Sequence, residues 1–583
     1  MTALHVRRGL RTALLATTAI TAAIVVYGLA TLPPPALRLD GAPPPTHVAG
    51  AYHLHSVRSD GTGSVDDIAR AASRAGLAFV ILTDHGDATR EPDAPAYRHG
   101  VLVIDAVEVN SREGHIVALG LTKASPYPLA GPARDVVDDI HRQGGVAIVA
   151  HPDSPRGELA WRGNAGIPVD GFEWLNVDSE WRDESTAALV RTALHAIVRP
   201  PEAIAALFSR PVRSLQRWDA TARSRSVIGL AALDAHANIP WREQEEPRRT
   251  AGFEHPSYET MFRTLTQTVV TDAPLSGDAA ADARAVLSAL IAGRTYSTVR
   301  AYAWPSALEF SAERDGHHYV MGTRLPESSD PVTFTARLPL LPGAHLTLVR
   351  DGLPHRTGQG SLVVAGIAQP GVYRIEASLP SSGIPWIVSN PIVIEGGEPE
   401  GGPFGGRGRG GRGGGGGEPT GVVHAEAVPL DPSAWTTEHD ALSTGTIGLD
   451  AGRLQFAYDL GAGSPRGQYV ALVHDPGNER GIETVAFTAA ASAPMRMSVQ
   501  VRLPEGRGRV AQRWRTSVYV GTTPTRIELR LQDFEPADRP TQRRPIVTPL
   551  QSLLFVVDTI NARPGTTGRF WLSDVTLGVN RLD

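Results

Sequence analysis

Six apolar runs between residues 48 and 236 carry imidazoles or carboxylates at their ends. "VAGAYHLH" closes on His53 and His55, and "AFVIL" is followed by "TDH", with Asp84 and His85. "VLVIDAVE" ends in Glu108, and "HIVALGL" opens on His115. His151 follows "GVAIVA", and "LDAH" places Asp234 and His236 after "VIGLAA". Runs this short and apolar, alternating with helical stretches, are the pattern of an α/β domain with parallel strands. In such folds, sites assemble at the carboxyl ends of the strands.

One unit shows the alternation clearly. After the first strand, Ser64 and Asp67 form the pattern of a capping box opening the helix "VDDIARAASRA". Gly76 stops that helix, and "AFVIL" is the next strand. In "HLHSVRSDG", His53 and His55 stand two apart at the end of the first run. Side chains at i and i+2 of a strand project from one face, so the pair is either a surface accident or half of a metal site.

Composition narrows the chemistry. The chain has no cysteine, which excludes disulfides, thiolate zinc sites and cysteine nucleophiles, so a metal would sit on His, Asp and Glu. A net charge of −5 argues against specific nucleic-acid binding.

The ends and joints of the chain are also legible. Arg7, Arg8 and Arg11 precede an uncharged run from residue 12 to 32, long enough to span a hydrocarbon core with its N-terminus inside. An inner-membrane anchor and a cleaved signal peptide both fit this pattern, and both put the bulk of the chain outside the cytoplasm, in the periplasm or secreted. Residues 1–11 are then cytoplasmic and 33–47 a Pro-rich spacer. The α/β domain is expected at 48–305. Alternating runs such as "HLTLV" and "VYRIEASL" predict a small β-sandwich at 306–396. A Gly/Arg-rich tract at 397–420, with only three arginines, reads as a flexible linker rather than an RNA-binding segment. Residues 421–583 read as a second, jelly-roll-like β-sandwich.

Neutral imidazoles and carboxylates suit Zn²⁺, Mn²⁺ or Fe²⁺, and a carboxylate such as Glu108 can bridge two ions. Each histidine alone is ordinarily surface or satisfied core; their joint placement at successive strand ends points to a site. Asp84 is left between orienting a ligand and capping a helix.

In order and spacing, "HLHSVRSDG", "TDHG", Glu108 with "GH" at His115, "AHP" and "DAH" resemble the PHP family, the polymerase and histidinol phosphatase metallohydrolases. The resemblance spans roughly residues 50 to 300 and implies a distorted (β/α)7 barrel with two or three divalent metal ions (Zn, Mn or Fe) at its mouth. It implies that His53, His55, Glu108 and Asp234 hold one ion, Glu108, His115 and His151 a second, and Asp60, His85 and His236 a third; these last three are also the catalytic candidates. Asp60 stands where many members carry histidine, the "SDG" form being typical of other branches that include small-molecule phosphoesterases. An export segment and β-domains after the barrel resemble the branch related to the CehA and McbA hydrolases. The end of the last β-domain resembles carbohydrate-binding-like modules.

These features predict an exported metal-dependent hydrolase using hydroxide generated on the metal. A phosphoesterase acting on a small molecule or nucleotide is the leading expectation. Ester, carbamate or amide hydrolysis is the alternative, and a non-catalytic envelope-binding protein is a third reading. Arg156 and Arg162, shortly after "AHP", are candidates for gripping an anionic substrate. The C-terminal sandwich is expected to contact a glycan or another envelope component, and the N-terminal helix the membrane.

Overall fold

The computed structural model describes residues 2–240, 252–253, 256–380, 382–396, 423–463, 467–477, 481–503, 512–537 and 550–580. The linker expected at 397–420 therefore lies outside the described residues. The chain divides into two compact units: Met1–Gly86 with Pro92–Lys123 and Pro132–Glu398, and Asp87–Glu91 with Ala124–Gly131 and Pro399–Asp583.

The first unit begins with a long helix, α1 (Thr2–Ala30), of which Ala13–Ala30 is apolar, uncharged and unburied. The α/β region then supplies ten strands that position the site. They are β1 (His47–Tyr52), β2 (Phe79–Leu82), β3 (Val101–Asp105), β4 (Val107–Ser111), β5 (Gly114–Leu119), β6 (Val146–Val149), β7 (Gly171–Asn176), β8 (Ile228–Ala232), β9 (Thr266–Val270) and β10 (Thr295–Thr298). Strands β1, β2 and β3 pair in parallel, as do β6, β7 and β8. Isolated parallel bridges, Leu54 to Ala235 and His85 to Glu108, join the sheet holding β1–β3 to the two margins, β8 and β4, of the five-stranded sheet β4–β8.

The sheet is not parallel throughout. β5 runs antiparallel to both β4 and β6, because only Arg112 and Glu113 connect it to β4. A link that short closes a hairpin and cannot cross over. The reversal has a consequence for the site: the N-terminal end of β5, where His115 stands, lies beside the C-terminal ends of β4 and β6.

Helix α2 (Val65–Arg74) has the expected capping box: the Ser64 side chain accepts from the Asp67 amide, and Asp67 accepts from the Ser64 amide. Its Ile68, Ala69, Ala71 and Ala72 are buried. β2 is buried at every position, as expected of a strand covered on both faces. Phe79, Ile81, Leu102, Ile104, Val117, Ile148 and Leu230 form a common core with Val286 and Leu290.

Hydrogen bonding continues from this region into the β-sandwich strands that follow it, between Glu309 and Ile394. β10 pairs with Ile387–Ser389, registering Tyr296 with Ser389 and Thr298 with Ile387. The opposite layer of that sandwich is a four-stranded sheet containing Glu309–Arg314 and Val332–Arg337. Its core includes Phe310, Phe334, Tyr373 and Trp386.

In the second unit, residues from 423 onward form two six-stranded sheets. Their inner faces share Trp435, Phe456, Phe487, Trp514 and Phe555, and the Phe487 and Phe555 rings meet edge to face at 5.0 Å.

Candidate metal centre

All nine side chains named as candidate ligands converge in the first unit, each from the end of a strand or the loop that follows it. His53 and His55 do not sit on the strand that leads to them. β1 ends at Tyr52, and His53 adopts a left-handed backbone with φ 65°. Alternation along a strand therefore does not pair the two rings; a local reversal turns His53 inward. His151 (φ 29°) and Asp234 (φ 50°) share this uncommon conformation. For non-glycine residues it costs free energy that the surrounding structure must offset.

Around the deepest point, His53 Nε2, His55 Nε2 and Glu108 Oε2 form a triangle with edges of 3.1, 3.2 and 3.3 Å. Asp234 Oδ1 lies 3.4 and 3.2 Å from the same two nitrogens. A divalent ion about 2.0–2.1 Å from nitrogen and oxygen ligands fits atoms spaced like this. Glu108 divides its oxygens. Oε2 also lies 3.2 Å from His85 Nδ1, while Oε1 lies 2.8 Å from His115 Nδ1 and 2.9 Å from His151 Nε2.

The outer edge is formed by Asp60, His85 and His236. Asp60 Oδ2 lies 3.2 Å from His236 Nε2 and 3.7 Å from His85 Nε2, and its Oδ1 lies 3.5 Å from His55 Nδ1. The His55 and His236 rings stack at 4.2 Å. The side chains of Asp60, His85 and His236 are 32%, 19% and 18% exposed, against 0–8% for the other six. Solvent therefore reaches the cluster from this side. The grouping differs in detail from the expected one: His85 faces both Glu108 and Asp60, and His55 stands beside the outer set.

Charge and burial oppose each other here. Burial alone would lower the basicity of His53, His55, His151 and His236, but the carboxylates around them raise all four, His55 to about 10. Burial would raise Glu108, Asp234 and Asp60, yet the facing imidazoles hold all three below the usual carboxylate range. His85 is the exception. Its burial lowers it to about 4, against the pull of Glu108 and with repulsion from His55 and His115. The cluster is a set of mutually compensating charges, which metal ions would replace.

Asp84 has a supporting role. It accepts from the Ser56 amide and hydroxyl, both at 2.7 Å, and from the Ser59 hydroxyl at 2.8 Å. It thereby fixes the loop that carries His55 and Asp60. A Cβ on Gly61 would meet the His55 carbonyl oxygen at 2.1 Å, so only glycine fits after Asp60 in "SDG".

Sequence reasoning missed Glu173. This fully buried carboxylate on β7 lies 2.5 Å from His53 Nδ1. It also accepts from the His151 amide at 2.8 Å and from Asn176 Nδ2 at 2.9 Å. Asn176 in turn donates to Asp234 at 3.3 Å. The only signal in the sequence was an acid inside the apolar run "GFEWL". Beside Glu173 lies a cavity of about 260 Å³ bordered by His151, Asp153, Asn176, Glu180, Arg210 and Ser214.

Arg156 and Arg162 are not brought into the cluster by their hydrogen bonds. Arg156 pairs with Glu158 at 3.0 Å, and Arg162 donates to the carbonyls of Gly157 and Arg112.

No family model matches the chain. An uncharacterized protein of Methanocaldococcus jannaschii is 30% identical over 115 residues, 19% of this chain and 64% of that protein. The chain thus spans less than two thirds of the length of the curated relative it matches. Among solved structures, a two-domain protein of Bacteroides vulgatus containing a predicted PHP-like metal-dependent phosphoesterase aligns over 62% of this chain and 99% of its own. It is 13% identical, with a TM-score of 0.27. A family 11 carbohydrate-binding module of Clostridium thermocellum aligns over 28% of this chain and 99% of its own, at 12% identity and a TM-score of 0.23.

Proposed function

We propose that the chain is a metal-dependent hydrolase whose centre lies among His53, His55, Asp60, His85, Glu108, His115, His151, Asp234 and His236. The observation that carries this reading is the division of Glu108: one oxygen faces His53, His55 and His85, the other His115 and His151. Glu108 would thus be placed to hold two ions at once, with His53, His55 and His85 on one side and His115 and His151 on the other. When bound, divalent ions lower the pKa of water towards neutrality and polarise the oxygen of a substrate.

The chain's own residues hold and orient. Glu173 keeps a proton on His53 Nδ1 and so presents Nε2 as a lone pair. Asp60, His85 and His236 form the solvent-reached edge, where a substrate meets the cluster. A shared carboxylate between two ion sites suits displacement at phosphorus, in which both the attacking and departing oxygens need stabilisation. We therefore favour a phosphoesterase.

The two isolated bridges at the margins of the α/β sheets support a distorted seven-stranded barrel. The motif order supports the PHP resemblance, and the unburied apolar α1 supports a membrane anchor with the remainder outside the cytoplasm.

The test is metal analysis of the purified full chain, followed by hydrolysis of p-nitrophenyl phosphate, a phosphodiester, nucleotides and naphthyl esters with Mn²⁺ or Zn²⁺ added separately. Bound divalent metal with phosphate release is the expected result. Absence of bound metal and of metal-stimulated turnover on every substrate would overturn the reading, and naphthyl ester cleavage alone would move it to carbonyl chemistry.

A further inference from the structure

A second polar cavity lies in the first unit among residues with no contact to the metal cluster. It measures about 230 Å³ and is lined by Arg38, Arg199, Arg263, Arg300, Glu202 and Trp304. Four guanidiniums thus share a small space with one carboxylate. Glu202 is engaged elsewhere, accepting from the Ala36 amide at 3.0 Å. Arg263 pairs with Glu259 at 3.0 Å, a carboxylate it shares with Arg74.

The other arginines lack such compensation. Arg300 is 4% exposed, stacks on Trp304 at 3.9 Å, and donates only to the carbonyls of Phe262 and Ala75. Among the described residues, no carboxylate pairs with it. Its burial, with repulsion from Arg263 and Arg38, lowers it to about 9. Arg38, on a two-residue strand beside Trp304, is exposed, and among the described residues its side chain has no hydrogen bond or ion pair. A buried, uncompensated guanidinium beside a free one is costly unless an anion joins them.

The surroundings indicate where that anion comes from. The cavity adjoins the exit of α1: Arg199 donates to the Pro33 carbonyl, and Thr31 Oγ1 lies 3.0 Å from His195 Nε2. On the same segment, Ile197 is 80% and Val198 57% exposed. Exposed aliphatic side chains beside arginines, at the end of an unburied apolar helix, are the composition of a surface resting on a bilayer.

We propose that this cavity binds a phosphate-bearing anion where α1 leaves the folded body, an anionic lipid headgroup being the source its surroundings favour. Guanidiniums suit the task because their planar fork matches phosphate oxygens. The site is independent of the metal reading, and only the choice of lipid rests on α1 being a membrane segment.

The experiment titrates the full chain in non-ionic detergent with dioctanoyl phosphatidylglycerol, dioctanoyl phosphatidylcholine or inorganic phosphate, each against wild type and Arg38→Glu. Saturable phosphatidylglycerol binding is expected, tighter than phosphatidylcholine. Arg38→Glu should weaken it roughly tenfold or more, as for a lost charge-assisted contact, without changing metal content. Inorganic phosphate binding as tightly as phosphatidylglycerol, with the same sensitivity to Arg38→Glu, would support the anion site and overturn the lipid source. Anion binding that Arg38→Glu leaves unchanged, or no anion binding at all, would overturn the proposal.

Discussion

His53 Nδ1 and Glu173 Oε1 lie 2.5 Å apart, both side chains fully buried. Both oxygens of Glu173 accept, one from His53 and the other from the His151 amide and Asn176. A carboxamide has one oxygen, so in Glu173→Gln one of these donors must face an NH₂ group. A buried donor left without an acceptor costs about 1–3 kcal/mol. Competition titrations with a chelator should show weaker metal binding by roughly 10- to 100-fold, the range for lost support of a ligand, with secondary structure retained. Unchanged affinity would reduce Glu173 to packing.

Replacing His53 itself should be more severe. His53→Ala removes one corner of the deepest triangle while His115 and His151 remain with Glu108. Turnover is expected to fall by orders of magnitude if an ion at that triangle activates the attacking water. His99 and His141 serve as controls, because they pair with Asp66 at 3.0 Å and Asp170 at 2.7 Å away from the cluster. His99→Ala and His141→Ala should retain turnover and metal content.

Much of this site was legible in the sequence. Eight of the nine polar residues fall where apolar runs begin or end, with Asp60 in the loop after the first run, and such ends are where a sheet opens to solvent. The legible part stops at the backbone. His53 enters the cluster through a reversal at φ 65°, which no period-two pattern encodes. His115 arrives through a hairpin that sets β5 antiparallel between β4 and β6. Glu173 escaped because an acid inside a buried strand carries no spacing signal; beside nearby Asn176, its partners His53 and His151 come from other strand ends. The continuity of β10 with Ile387–Ser389 was equally hidden, since pairing between strands some ninety residues apart leaves no local trace.

Metal removal has a pH signature. In the metal-free cluster His55 is raised from 6.5 to about 10; burial opposes this, and hydrogen bonds to Asp234 and Glu108 produce it. A group raised in the folded state stabilises fully below its unfolded pKa, and that contribution is lost as pH rises through the folded value. The chelated protein should therefore lose thermal stability as pH climbs from 6.5 towards 10. Metal binding at neutral pH should release protons, since the ion displaces them from imidazoles. Calorimetric titration in buffers of different ionisation enthalpy measures the release. A buffer-independent enthalpy would contradict the charge assignment.

Glu180 gives a second pH window, beside the 260 Å³ cavity. Burial raises its carboxyl from 4.5 to about 7, against hydrogen bonds from Ser209. The sign is the same as for His55: its favourable contribution is complete below 4.5 and is lost as pH rises through 7. Glu180→Gln keeps an oxygen for the Ser209 amide and cannot ionise. The variant should gain up to about 3 kcal/mol over wild type above pH 7 and nothing near pH 4. Melting curves of the two proteins across this range decide it, and a constant difference would refute the assignment.

Truncation tests how the α/β region and the following sandwich depend on each other. β10 hydrogen-bonds to Ile387–Ser389, so a chain ending at 305 would leave an open edge there. It would also lose Asn390, whose amide group bonds both the N–H and the carbonyl of Gly229, at 2.8 and 2.9 Å, and the Thr295 carbonyl at 3.1 Å. The buried triad of Arg374, Asp219 and Glu376 would lose two of its three members and leave Asp219 without its cation. Breaking a buried pair in this way costs about 3–5 kcal/mol, a large share of the stability of an ordinary domain. A chain ending at 396 keeps every one of these contacts. The shorter chain should be found in aggregates and the longer one should be soluble and bind metal as the full chain does. If the chain ending at 305 proved soluble, with wild-type metal affinity and melting temperature, the sandwich would be an appendage and the cross-strand pairing energetically idle.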